Sequence, residues 1–197
     1  MRIRKKEQLI INAAKKIFAK KGYDRSKVSD IVKAAKIARG TFYIYYGSKK
    51  ELFEKLLDEL MGRVIANFAD IDYSNLNTVD DFYNHIEKVS TRFKDLVLEN
   101  SDLASIFIKE YNTAGGHFTK RLESYHRGIM ETFIEFLNFC RERKIIRNMN
   151  PEVVSYSASG IVRELLERTL DSSLATPVDQ IIYEGVNLYV YGMIRRE

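Results

Sequence analysis

Apolar side chains recur along this chain every three or four residues almost without interruption, the period of helices with one buried face, and few positions look like strand. The first segment, about Arg4 to Lys21, sets Leu9, Ile10, Ala13, Ala14, Ile17 and Phe18 inward and stops at Gly22, where a left-handed residue is easily accommodated. A short helix from about Lys27 to Ala35 buries Val28, Ile31, Val32 and Ala35, with Ser26 as its cap. A second, about Ala38 to Tyr45, turns only Ile37 and Phe42 toward a core. Ser48, Lys49, Lys50 and Glu51 then form a capping box that opens a helix to about Asp70, carrying Leu52, Phe53, Leu56, Leu57, Leu60, Val64, Ile65 and Phe68.

The same period predicts a helix opened by Thr78 with Phe82, Ile86, Val89, Phe93, Leu96 and Val97 inside, then helices over about Asp102 to Thr113 and Phe118 to Lys144. Both prolines stand at first helical positions, where the missing amide donor is not needed: Pro151 opens a helix to about Asp171, and Pro177 one to about Arg195. The expected fold class is all-α, about nine helices. Residues 1–48 form an N-terminal three-helix helix-turn-helix domain, and residues 49–197 a helical effector-binding and dimerisation domain whose stretch 49–70 connects the two.

Two short helices at a sharp turn, followed by a basic helix start, outline a helix-turn-helix DNA reader, with residues 38–45 as the reading helix. Arg39 can fork onto guanine O6 and N7, Thr41 can bond a phosphate or touch a thymine methyl, and Gly40 lets the backbone approach the duplex closely. Lys49 sits at the positive end of the next helix, a position that favours an anion. Tyr43 and Tyr45 are either groove contacts or core packing.

Charge sharpens this picture. Residues 1–50 hold 15 lysines and arginines against three acids, a net of +12, whereas residues 51–197 hold 17 against 24, a net of −7. A polyanion is the partner this end suits. No stretch approaches the roughly 18 apolar residues of a membrane span, so the expected location is the cytoplasm, without membrane contact. Cys140 stands alone, which excludes an intrachain disulfide and a thiolate zinc cluster. His85, His117 and His126 are scattered, so neither a metal nor a cofactor is expected. No nucleophile, base and orienting group occur together, and no phosphate-cradling glycine loop occurs, so the chain is not read as an enzyme.

Ile31, Ala35, Gly40, Thr41, Phe42, Tyr43, Tyr46, Ser48, Lys49 and Leu52 stand at the spacing of the tetracycline-repressor (TetR) family of bacterial transcription regulators, which the first fifty or so residues resemble. The resemblance implies a homodimer joined through its last two helices and a ligand cavity in the helical body. It implies backbone-clamping roles for Tyr43 and Lys49, and groove-facing places for Ala38, Arg39, Gly40, Thr41, Ile44 and Tyr45. Two positions depart from it. Lys27 replaces a frequent threonine, its charge still suited to a phosphate. Lys36 replaces the usual glycine in the turn, so either it accepts an unusual backbone angle or the turn differs.

One reader touches too few bases to define a site, so two copies are expected on a pseudo-palindrome with half-sites roughly 34 to 36 Å apart. The expected interface uses Ser157 and Gly160, small residues that admit another helix, and the stripe Val178, Ile181, Ile182, Gly185, Leu188 and Tyr189, which an intrachain core would equally use. Phe82, Phe93, Phe107, Tyr111, Tyr125, Phe133 and Tyr156 are the candidate lining for a small, largely apolar effector, or simply core. The resulting expectation is a repressor released from its operator by that effector. The alternative is a DNA-bound scaffold that recruits a protein partner and senses no small molecule.

Overall fold

The computed structural model describes residues 2–69, 72–111 and 116–193, and among them the chain forms nine helices. These are α1 (Arg2–Lys21), α2 (Val28–Ala35), α3 (Arg39–Tyr45), α4 (Lys49–Ala69), α5 (Val79–Glu99), α6 (Ser101–Tyr111), α7 (Thr119–Glu142), α8 (Pro151–Leu170) and α9 (Val178–Met193). The all-α reading therefore holds for the described chain. The expected ends at Asp70, Thr113 and Arg195 lie outside the described residues.

Local chemistry explains most of the boundaries. Gly22 ends α1 at φ 75°, its amide bonded to the Phe18 carbonyl. At the start of α8, Asn150 accepts from the amides of Glu152 and Val153 while Pro151 fills the first turn. Ser48 Oγ accepts from the Glu51 amide, and the Glu51 carboxylate reaches one residue further back than a standard capping box, to the Gly47 amide at 2.8 Å. Ser26 is a correction. It is buried and donates to the Gly22 carbonyl, while Lys27 takes the capping position and the Asp30 carboxylate accepts its amide at 3.1 Å.

By compactness the chain falls into two units, Met1–Gly62 with Asn100–Thr119, and Arg63–Glu99 with Lys120–Glu197. In the first unit α1 packs on α2 and α6, and α2 packs on α3. Leu52, Phe53, Leu56 and Leu57 of α4 are almost wholly buried. The rings of Phe18, Tyr23, Phe53 and Phe118 meet at centroid distances of 4.4 to 6.1 Å, two of the pairs edge to face. Such pairs contribute about 0.5–1.5 kcal/mol each beyond the area they bury. Side chains beyond residue 48 therefore complete the core of the basic head. On α1 the buried stripe is rotated from the one expected: Ile11 is inside and Leu9 faces out.

In the second unit α9 lies against α5 and α8. Its core collects Leu76, Phe82, Phe136, Leu137, Cys140, Ile145, Ile146, Val186, Val190 and Met193. The Arg143 guanidinium closes one end: it donates to the carbonyls of Ser74 and Leu76 at 2.9 and 3.1 Å and stacks on Phe139. Cys140 is wholly buried there, and burial pushes its thiol pKa up to about 12.

Candidate nucleic-acid interface

The reading helix is short and seated by one ring. Phe42 is the fully buried residue of α3, which packs on α2, itself buried at Ile31, Val32 and Ala35, and removing such a ring typically costs about 3–5 kcal/mol. With Phe42 in the core, most of α3 turns outward. Arg39 and Gly40 are exposed, as is Ala38 just before the helix; Ile44 is 77% exposed and Tyr43 47%, while Thr41 and Tyr45 are half-buried. Tyr43 sets its ring edge against Phe42 and lies within 5.9 Å of the Arg39 guanidinium, whose Nη2 donates to its hydroxyl at 3.5 Å. Arg39 and Tyr43, one helical turn apart, thus restrain each other at the surface.

Lys36 settles the question its sequence left open. It adopts φ 54° and ψ 45°, the left-handed region, and closes α2 as a glycine would: its amide bonds to the Lys33 carbonyl and the Ile37 amide to the Val32 carbonyl, at 3.2 and 3.1 Å. The turn keeps its shape and the strain stays in the lysine backbone. Lys27, Lys33, Lys36 and Lys50 are all exposed. Lys33 and Lys36 had no expected contact role; their place on α2 and in the turn beside the reading helix is the signal.

Lys49 is placed differently from a side chain that reaches outward. Its ammonium donates to the carbonyls of Tyr23 and Ser26 at 2.7 and 2.9 Å and lies 3.9 Å from the centre of the Tyr23 ring. Desolvation lowers its pKa. Lys49 therefore ties the start of α4 to the α1–α2 turn. Nearby, Glu110 of α6 accepts the Tyr23 amide at 3.2 Å, and burial raises its pKa. Tyr46, almost fully buried, sends its hydroxyl to Glu7, which also receives Lys55.

The other expected sites are divided by the fold. Phe107 and Tyr111, stacked at 5.9 Å, belong to the first unit, while the remaining five candidate lining residues belong to the second. Among those five, Phe82 is fully buried in the core with Phe133 packed against it, Phe93 faces Phe68, Tyr125 receives Arg121, and Tyr156 is 48% exposed beside His126. The interface stripe splits as well. Ile182 and Tyr189 pack on the intrachain core, Val178, Ile181 and Gly185 are half-buried, and Ser157, Gly160 and Leu188 face out. Val153, Tyr156, Ile161, Tyr183 and Tyr191, none of them in the expected interface, are exposed with them.

Residues 10–56 match the family described as bacterial regulatory proteins, tetR family. The uncharacterised helix-turn-helix-type transcriptional regulator YuxN of Bacillus subtilis is 30% identical over 134 residues, covering 68% of this chain and 44% of that protein, so the matched stretch spans under half of that relative's length. A second Bacillus subtilis regulator of the same description, YdgC, is 29% identical over 188 residues, covering 94% of this chain and 91% of its own. Among solved structures, the transcriptional regulator FadR from Bacillus subtilis in complex with stearoyl-CoA has the same fold, with a TM-score of 0.77 at 21% identity over 94% of this chain and 98% of that one. These proteins are transcriptional regulators and not enzymes.

Proposed function

Since this chain belongs to the tetR family of bacterial regulatory proteins, we propose that two copies of it read a pseudo-palindromic operator, one α3 in each of two successive major grooves, and repress transcription in the cytoplasm until a small molecule releases them. The observation that carries this reading is α3 itself, with Phe42 as its fully buried side chain and left bare at Arg39, Gly40, Tyr43 and Ile44. Arg39 reads a guanine, Ile44 packs on a thymine methyl, and Tyr43 with the surrounding lysines holds the phosphates. Lys49 acts on the phosphates through its field and through the turn it braces. The two-fold partner covers the outward faces of α8 and α9, where Val153, Tyr156, Ile161, Tyr183, Leu188 and Tyr191 stand exposed.

For the effector we propose a long-chain acyl thioester. Supporting this are the aromatic core of the second unit and the stearoyl-CoA bound to the structurally similar FadR. The effector acts only through its difference in affinity for the bound and released arrangements, and a switch from mostly bound to mostly free needs about 5 kcal/mol of it. α4 transmits it, since its residues 49–62 belong to the first unit and the rest to the second.

Selection of bound sequences from random DNA, followed by fluorescence anisotropy on the recovered site, tests the reading. A palindromic consensus, a dimer mass by light scattering, and release by stearoyl-CoA are the expected results. A monomer mass, or retention that ignores sequence, refutes operator reading. Tight effector binding that leaves operator affinity unchanged refutes the sensor and favours the scaffold alternative.

A further inference from the structure

The body of this protein is acidic, yet one turn of it is strongly basic. Between Arg141 and Arg147 stand Arg141, Arg143, Lys144 and Arg147 against the single acid Glu142. At this turn the surface is hollowed to about 550 Å³, lined by Arg141, Glu142, Lys144, Ile146, Arg147 and Asn148. Arg143 is spent on the carbonyls of Ser74 and Leu76. Among the described residues, no ion pair engages Arg141, Lys144 or Arg147. Cations in the last turn of a helix are ordinary, because they complement its dipole, and that suffices for Arg141. It does not account for Arg147, five residues beyond the end of α7.

The dipole favours a cation at Lys144 too, but not the backbone conformation that Lys144 adopts. This residue closes α7 at φ 59°, its amide bonded to the Arg141 carbonyl and the next amide to the Cys140 carbonyl, the motif in which glycine is the unstrained choice. A lysine held there at a conformational cost, lining one hollow with Arg141 and Arg147, marks a place built for charge. One lining side chain, Ile146, is apolar. Ile146 belongs both to the hollow and to the core that contains Phe82, Phe136 and Leu137, and the Arg147 amide is pinned to the Met193 carbonyl at 2.9 Å.

The geometry points to this hollow as a phosphate-binding subsite, the seat of the phosphorylated head of the effector, with Lys144 and Arg147 as its principal ligands. As the seat of an effector's head it rests on the acyl-thioester reading above; the affinity for phosphate esters follows from the hollow alone. Three cations around one concavity suit the clustered phosphates of a coenzyme A head, and the same chemistry would accept a free nucleotide or inorganic phosphate. The buried Ile146 joins the hollow to the core of the second unit.

Calorimetric titration of the full chain with palmitoyl coenzyme A, coenzyme A, sodium palmitate and sodium phosphate tests it, comparing wild type with the double variant Lys144→Gln, Arg147→Gln. The expected result is that the variant loses about tenfold in affinity for both coenzyme A probes, keeps its affinity for palmitate, and keeps its melting temperature. Wild-type affinity for both coenzyme A probes in the variant overturns the proposal while leaving the acyl-effector reading intact. If palmitoyl coenzyme A and palmitate fail to bind but coenzyme A or phosphate binds and is lost in the variant, the subsite stands and the acyl reading falls. Operator affinity that drops in the variant assigns the patch to DNA and also overturns the proposal. Lys144→Gly adds a readout that a purely structural lysine would not give, melting higher than wild type yet binding coenzyme A more weakly.

Discussion

Replacing Lys36 by glycine should make this protein more stable while weakening its hold on DNA. The residue sits at φ 54°, ψ 45° and is exposed, so no packing is lost when its side chain is removed. A residue with a Cβ is disfavoured by about 1–2 kcal/mol in the left-handed region, because the Cβ crowds the carbonyl oxygen. Glycine returns part of that gain through its larger freedom in the unfolded chain, about 0.5–1 kcal/mol. The balance is a stabilisation of about 0.5–1 kcal/mol, which for a chain of this length raises Tm by about 1–4 °C. Alanine supplies the control: it deletes the same charge but keeps the Cβ, and so gains little. Thermal unfolding followed by circular dichroism should therefore rank glycine above alanine. Both variants should lose operator affinity alike and flatten its salt dependence by about one unit per subunit, if the ammonium neutralises a phosphate. An alanine variant as stable as the glycine variant would refute the left-handed assignment and the turn built on it.

Arg39→Ala should cost about 1–3 kcal/mol of operator affinity and relax base preference at one position per half-site, with Tm unchanged, as read by anisotropy on single-base operator variants. Cys140, wholly buried and with its pKa at about 12, should resist alkylation at pH 8 in the folded protein and react fully once denaturant is added, a difference that intact-mass spectrometry detects. Burial holds the Glu110 pKa above its ordinary value of 4.5, so the folded state binds the proton more tightly than the unfolded one. The cost to stability is therefore absent below the unfolded value and grows as pH rises through the folded one. Glu110→Gln keeps an acceptor for the Tyr23 amide and should melt at or above wild type at pH 8, with the advantage gone by pH 4. A wild-type advantage that widens with pH would refute this.

Periodicity and caps made the helices legible. A helix is defined by bonds four residues apart, so its existence, its buried face and its ends at Gly22, Asn150 and Pro151 are written within a few neighbouring residues. The same locality made the reading helix legible, since only Phe42 and Ile37 in that stretch could turn inward. Through-space partners were not. No period reports that Lys49 points at Tyr23 and Ser26, because those carbonyls lie 26 and 23 residues earlier. Nor does one report that α6, between helices of the second unit, belongs with the head.

By itself the chain determined its all-helical character, its basic head and acidic body, and the face that α3 offers, since each follows from the order of apolar, polar and charged residues over a few turns. Only the tertiary structure decided which way divided stripes face, with Ile182 and Tyr189 inward and Leu188 outward, and that Lys144 and Arg147 share one hollow. A stripe names a side of a helix, but its burial depends on the neighbours that the whole fold brings to it. The bend that gathers charges around a concavity is likewise set by packing that no local pattern contains.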